Sequence, residues 1–152
     1  MNQRQDERDE RGKAQGEEAA SRSRPEPAPS PLRVLLVGAE SPGILLPGIT
    51  DSATLDVRAA PGISEAVHEI LGDPPDAVVL LGDEAQAAEQ VAVLRALGRF
   101  PIAVVPRLLS EQTVVACLDQ GADIALTQPI PGHELIARLR TALRRSRATS
   151  QP

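Results

Sequence analysis

Short apolar runs alternate with helical stripes from residue 32 to residue 146. Leu32–Val37 (LRVLLV) is almost wholly apolar and closes on Gly38. A run of that length without polar alternation suits a strand buried on both faces of a parallel sheet. Four similar runs follow, at Thr54–Ala59, Ala77–Leu81, Ile102–Val105 and Ile124–Leu126. Between them the period changes. Ile63, Ala66, Val67, Ile70 and Leu71 follow the i, i+3, i+4, i+7, i+8 spacing of a helix, with Ser64 as its expected N-cap and Gly72 as its stop. Ala87, Val91 and Leu94 predict a second helix ended by Gly98. Ser110 opens a third, with Val114, Val115 and Leu118 on one stripe and Gly121 beyond its end. Leu135, Ile136, Leu139, Ala142 and Leu143 predict the last.

Strands alternating with helices call for a parallel sheet covered on both faces. Right-handed crossovers prune the possible orders. The expectation is a flavodoxin-like α/β fold, a (βα)5 three-layer sandwich with a five-stranded parallel sheet of order 2-1-3-4-5. The first helix should be shortened or irregular, because Ser41–Ala53 (SPGILLPGITDSA) is interrupted by Pro47 and Gly48 and an interior proline costs a helix about 3 kcal/mol. A ligand site in this fold lies beyond the C-terminal strand ends.

Composition sets the boundaries of this unit. Residues 1–31 contain 7 acidic and 6 basic side chains, four prolines and no Leu, Ile, Val, Phe, Tyr or Trp. Such a stretch buries too little apolar surface to offset the entropy of ordering it, so it reads as a disordered tail. The folded domain is expected over residues 32–146, with a disordered end at 147–152. No apolar run approaches a membrane span, and the polar, mixed-charge N-terminus is no secretory signal. A cytoplasmic location is the default. One cysteine, Cys117, excludes an intramolecular disulfide and a cysteine-based metal cluster. Phe100 is the one aromatic residue, too few for stacking platforms on single-stranded nucleic acid. Residues 32–136 hold 14 acidic and 5 basic side chains, whereas residues 137–152 hold five arginines and no acid. An acidic body with one basic helix lacks the broad basic face of a nucleic-acid binder.

Residues 101–145 (PIAVVPRLLSEQTVVACLDQGADIALTQPIPGHELIARLRTALRR) resemble the second half of a CheY-like receiver domain of two-component response regulators. The most specific part is GAD-x-x-L-T, a residue-Pro pair, then HELIARLR. Arg33–Glu40 (RVLLVGAE), Val57–Leu71 and Pro75–Leu81 resemble the first strand and acidic loop, the second strand and helix, and the third strand. The resemblance implies a phosphorylation site at the strand ends, and it can be followed position by position. The acidic pair that would hold Mg²⁺ falls on Gly38 and Ala39, with Glu40 beside them. The phospho-acceptor aspartate falls on Leu81, six residues after Pro75. The hydroxyl residue closing strand four falls on Pro106, the lysine closing strand five on Gln128, and the aromatic switch residue on Ala125. Phosphoryl transfer relies on positioned charge and metal, and these substitutions remove the family's sources of both. The chain therefore resembles a degenerate receiver, or pseudo-receiver. The Gln128–Pro129 bond matches one that the family usually holds cis.

The expected function is that of a single-domain response regulator in two-component signalling. It is not an enzyme, has no cofactor or metal, and acts by protein–protein contact through residues 110–145. The other side of that contact would be a second copy, a histidine kinase or a DNA-binding regulator, with no direct binding of nucleic acid or membrane. Two other readings stay open. Asp83, two residues past Leu81, could be a displaced phospho-acceptor, though its plainer role is a solvated N-cap. The vacated strand-end crevice could bind a small molecule. Glu40 reads as a loop residue, His68 and His133 as surface histidines, and Cys117 as a small buried side chain.

Overall fold

The computed structural model describes residues 30–38 and 54–150. The disordered-tail reading of 1–31, the irregular first helix, Ala39 and Glu40 fall largely or wholly outside the described residues. Five strands form one parallel sheet: β1 (Leu32–Val37), β2 (Leu55–Ala60), β3 (Ala77–Leu80), β4 (Ile102–Val104) and β5 (Ile124–Ala125). Their order is β2-β1-β3-β4-β5, as the alternation of runs and stripes requires. Leu32 pairs with Leu55, Val34 with Ala77, Val78 with Ile102 and Ala103 with Ile124. Four helices are described: α1 (Ile63–Gly72), α2 (Ala87–Arg95), α3 (Glu111–Asp119) and α4 (Gly132–Ser150).

Successive strand residues point to opposite faces, and this sorts the core into two layers. Val34, Leu36, Val79, Leu81, Ala103 and Val105 share one cluster with Leu135, Ile136 and Leu139 of α4. Leu35, Val37, Val78, Leu80, Ile102 and Val104 share the other with Ala66 and Ile70 of α1, Val91 and Leu94 of α2, Cys117 of α3, and Phe100. The central strands have no polar face because both of their faces meet core, which is why their sequences are continuous apolar runs.

Several helix details depart from the periodicity. Gly62, not Ser64, holds the N-cap position of α1, without a side-chain capping bond. Leu71 belongs to the predicted stripe but is 71% exposed, because the helix ends there and the sheet no longer lies beneath it. In α3 the predicted stripe is rotated. Val115 and Leu118 are 58% and 46% exposed, and Cys117 is the buried residue, flanked by half-buried Thr113 and Ala116. Of the predicted stripe, Val114 stays half-buried. Ser110 does cap α3, accepting a 3.2 Å bond from the Thr113 N–H, and Gly121 follows with φ of +114°. The last helix does not fray at 147 but continues to Ser150, since Arg-Ala-Thr-Ser contains no glycine or proline to stop it. His68 and His133 are exposed on α1 and α4.

At the N-terminal strand ends, Arg33 pairs with Asp73, and Arg58 reaches both Glu69, at 3.0 Å, and Asp73, at 3.7 Å. The hydrogen bond from Arg33 holds the Asp73 carboxyl below its ordinary value. The pair's contribution is therefore present above the unfolded-state value of about 4 and is lost as pH falls through the depressed folded value. Burial, with a smaller effect from the Glu84 charge, pushes the Cys117 thiol up. Its reaction with Ellman's reagent at pH 8 is expected to be at least about tenfold slower in the native state than in urea. Equal rates would place the thiol at the surface.

Candidate functional site

The C-terminal ends of β1, β3, β4 and β5 bring four distant residues together. Past the strands, the backbone ladder continues: Leu81 N–H donates to Val37 O at 2.8 Å, Val105 N–H to Leu80 O at 2.8 Å, and Gln128 N–H to Pro106 O at 2.9 Å. Gly38, Leu81, Pro106 and Gln128 thus line one cleft of about 510 Å³, together with Gly82, Asp83, Glu84 and Arg107. These are four of the five positions singled out by sequence as substituted site residues; the fifth, Ala39, lies outside the described residues.

Each of the four is built into the structure in its own way. Leu81 is 5% exposed and belongs to the core layer that includes α4. Pro106 is buried and offers neither a hydroxyl nor an N–H. Gln128 sends its side-chain Nε2 2.8 Å to the carbonyl oxygen of Val105, so its amide ties β5 to β4 rather than facing the cleft as a free donor. The bond after it, Gln128–Pro129, is cis. Gly38 has φ of +96°, and a Cβ built there would stand 3.0 Å from the Gly82 nitrogen. The β1 end therefore approaches the β3 end so closely that a side chain does not fit. Gly38→Ala is expected to cost about 1–2 kcal/mol from the backbone conformation alone, read as a lower urea midpoint; an unchanged midpoint would mean the loop relaxes freely.

The charged groups of the cleft stand at its wall. Asp83 is exposed and occupies the N-cap position of a short 3₁₀ turn, Glu84–Gln86, but makes no side-chain capping bond. The capping role read from sequence is thus right in position and absent as a bond. Glu84, which the sequence did not single out, crosses to α3. Its Oε1 accepts from Thr113 Oγ1 at 3.0 Å, and its Oε2 accepts from the Ser110 N–H at 3.2 Å. A carboxylate at a helix N-terminus satisfies a free N–H and meets the positive end of the helix dipole. Arg107, exposed, is the one cation lining the cleft among the described residues.

Among the described residues no three His, Cys, Asp or Glu side chains come together as metal ligands. Glu84 spends both oxygens on α3, and Gly38 has no side chain to offer.

A second missed residue explains the GAD segment. Arg95, at the end of α2, donates to Gly121 O from Nε and Nη2 (3.2 and 2.7 Å), to Phe100 O (2.9 Å) and Gly98 O (3.2 Å), and to Asp123 Oδ2 (3.0 Å). Asp123 also accepts the Ile102 N–H at 2.9 Å. Gly121 must be glycine twice over: its φ is positive, and a Cβ would meet the Arg95 side chain at 3.0 Å. The most family-like segment of the chain is therefore a structural clasp, well away from the strand-end cleft.

Comparison with solved structures settles what this architecture is. A two-component response regulator from Clostridium difficile superposes with a TM-score of 0.63 at 20% identity, covering 74% of this chain and 95% of that one. A CheY-like receiver domain protein from Methanospirillum hungatei gives 0.63 at 18% identity, covering 80% and 100%. The chain has the CheY-like receiver fold. Its curated relatives are response regulators. The KDP operon transcriptional regulatory protein KdpE of Escherichia coli is 40% identical over 80 residues, which is 51% of this chain and 36% of the relative. Response regulator MprA of Mycolicibacterium vanbaalenii is 41% identical over 85 residues, 54% of this chain and 37% of the relative. The chain thus matches little more than a third of those proteins' length. No family profile matches it. Among the described residues, no helix of this receiver fold is long and apolar enough to cross a membrane.

Proposed function

We propose that the chain is a receiver-type module of two-component signalling that works by protein contact and does not accept a phosphoryl group. It acts as a non-enzymatic regulator without a cofactor. The observation that carries this reading is the content of the strand-end cleft: Gly38, Leu81, Pro106 and Gln128 together. Acceptor, hydroxyl and lysine are absent from the positions where the receiver scaffold would hold them, and the glutamine amide is committed to the Val105 carbonyl. Without metal or positioned charge, little is left to stabilise a phosphoryl transition state. Contact would be made through residues 110–145, where α3 exposes Val115 and Leu118. A histidine kinase, a DNA-binding regulator or a second copy suits that face.

The test is titration of ¹⁵N-labelled protein with beryllofluoride and Mg²⁺. The expected result is unchanged amide shifts at residues 81–84, 107 and 128. A stable adduct on any aspartate would overturn the reading, and its loss in Asp83→Asn would assign the acceptor to Asp83. A second reading is favoured by the cleft's volume, about 510 Å³, within the roughly 300–1,000 Å³ of small-molecule sites. A metabolite screen by thermal shift separates it, since a hit that then moves the amide shifts of residues 81–84 and 107–108 would make the cleft a binding site.

A further inference from the structure

The strand-end cleft holds two charged side chains that the protein itself leaves unspent. Asp83, just past β3, and Arg107, just past β4, both line it and are both exposed. Asp83 makes no side-chain capping bond to the 3₁₀ turn that follows it. Among the described residues neither side chain enters a hydrogen bond or an ion pair, with the other or with any third group. We propose that the cleft binds a small zwitterion with an apolar body, its ammonium on Asp83 and its carboxylate on Arg107. This rests on the small-molecule reading of the cleft and adds the chemistry of the ligand.

The charge balance is the first support. Glu84, the other ionised group of the lining, is already matched. Its two oxygens take the Thr113 hydroxyl and the Ser110 N–H at the positive end of α3. One anion and one cation are left. A ligand bearing only a carboxylate would satisfy Arg107 and confront Asp83 with a like charge. A ligand bearing only an ammonium would do the reverse. A phosphate would set more negative charge against a single guanidinium, beside two carboxylates. A zwitterion replaces the water on both side chains with charge-assisted bonds, and the guanidinium fork takes a carboxylate two bonds at a time.

The rest of the lining is the second. Leu81, Pro106 and Leu108 give the cleft apolar surface. Leu108 is 76% exposed, so an apolar group seated on it removes that surface from water. Gly38 and Gly82 bring main chain without side chains to the wall, which lets a ligand approach closely. The volume of about 510 Å³ suits a small organic molecule. Free apolar amino acids and short apolar peptides share the required chemistry, and the probes separate these two sources.

The experiment titrates the ¹⁵N-labelled full chain with leucine and with leucyl-leucine. Each is run beside its N-acetyl form, which lacks the cation, and its methyl ester, which lacks the anion. At least one zwitterion should move the amide shifts of residues 81–84 and 107–108, and its two blocked forms should bind about fivefold more weakly or worse. Arg107→Gln should weaken the zwitterion by about fivefold without weakening the methyl ester. Asp83→Asn should weaken it as much without weakening the N-acetyl form. Arg99→Gln, an equal loss of charge outside the cleft, should leave binding within about twofold. Urea midpoints of all three variants should match the parent, since the substituted side chains are exposed. Binding of leucine alone would name a free amino acid as the source, and binding of leucyl-leucine alone a peptide, each in support. A blocked form that binds as tightly as its zwitterion, an equal loss in Arg99→Gln, or no movement of these amides by either zwitterion would overturn the proposal. A singly charged hit from the metabolite screen that moves the same amides would overturn it and leave the small-molecule reading standing, whereas a screen with no hit at these residues would remove both.

Discussion

Leu81→Asp, which places a carboxylate at the position of the receiver acceptor, is expected to cost about 3–5 kcal/mol at neutral pH, the penalty of an uncompensated buried charge, and to take no phosphoryl group from acetyl phosphate and Mg²⁺. Leu81 is 5% exposed and sits in the core layer with Leu36, Val79, Val105 and Leu135. The cleft neighbours at the family's site positions offer it no partner: Gly38 has no side chain, Pro106 has no donor, and the Gln128 amide is bonded to Val105, which leaves exposed Arg107 as the one cation of the cleft among the described residues. Desolvation would raise the new carboxyl's folded-state value above the roughly 3.9 of the unfolded chain. The charge penalty is then full well above the folded value and fades as pH falls toward the unfolded one. Urea denaturation across that range checks the sign, with Leu81→Asn as the uncharged control whose deficit should not vary with pH. Intact mass after acetyl phosphate checks the chemistry. A variant as stable as the parent, or one that gains a phosphoryl group, would show that the cleft retains more of the receiver's machinery than its side chains suggest.

Arg95→Ala is the second large effect, about 2–4 kcal/mol of stability. The guanidinium bonds three backbone carbonyls and the Asp123 carboxylate, linking the end of α2 to the strand entries of β4 and β5. Removal takes donors from Gly98, Phe100 and Gly121 together. Arg95→Lys keeps the charge but replaces a planar fork with a single ammonium, so it should recover less than half of the loss. If lysine restores full stability, the Asp123 ion pair and not the carbonyl network carries the effect. Asp123→Asn should be milder, because an amide oxygen can still accept the Ile102 N–H that Asp123 accepts now at 2.9 Å.

The GAD segment shows how a motif can be legible while its purpose is not. Its residues were the most specific part of the resemblance, and they pointed toward the receiver scaffold. Yet Gly121 and Asp123 serve Arg95, which precedes them by more than 25 residues and carries no signal beyond being a basic side chain in the last turn of a helix. Glu84 was passed over for the same reason. Its neighbour Asp83 lay nearer the acceptor position and drew the attention, while Glu84 makes the bonds to Ser110 and Thr113. Helix α3 shows a different limit. Counting apolar residues selected Val114, Val115 and Leu118, but Val114 is only half-buried, Val115 and Leu118 are exposed, and Cys117 is the buried residue.

The sequence by itself determined the layers and the order of the sheet. Apolar period is a local property, and once five buried runs alternate with four amphipathic stripes, chain connectivity and handedness leave few topologies. It also determined which chemical groups stand at the strand ends, since Leu81, Pro106 and Gln128 are what they are wherever they lie. Only the tertiary structure decided what those ends and their surroundings do: that Gln128 is spent on Val105, that Glu84 ties the cleft wall to α3, that Arg95 clasps two distant loops, and that Asp83 and Arg107 line a common cleft. Polar bonds between segments far apart in the chain are satisfied at short range and in fixed directions, so which donor meets which acceptor is set by how the layers dock, and no period along the chain records it.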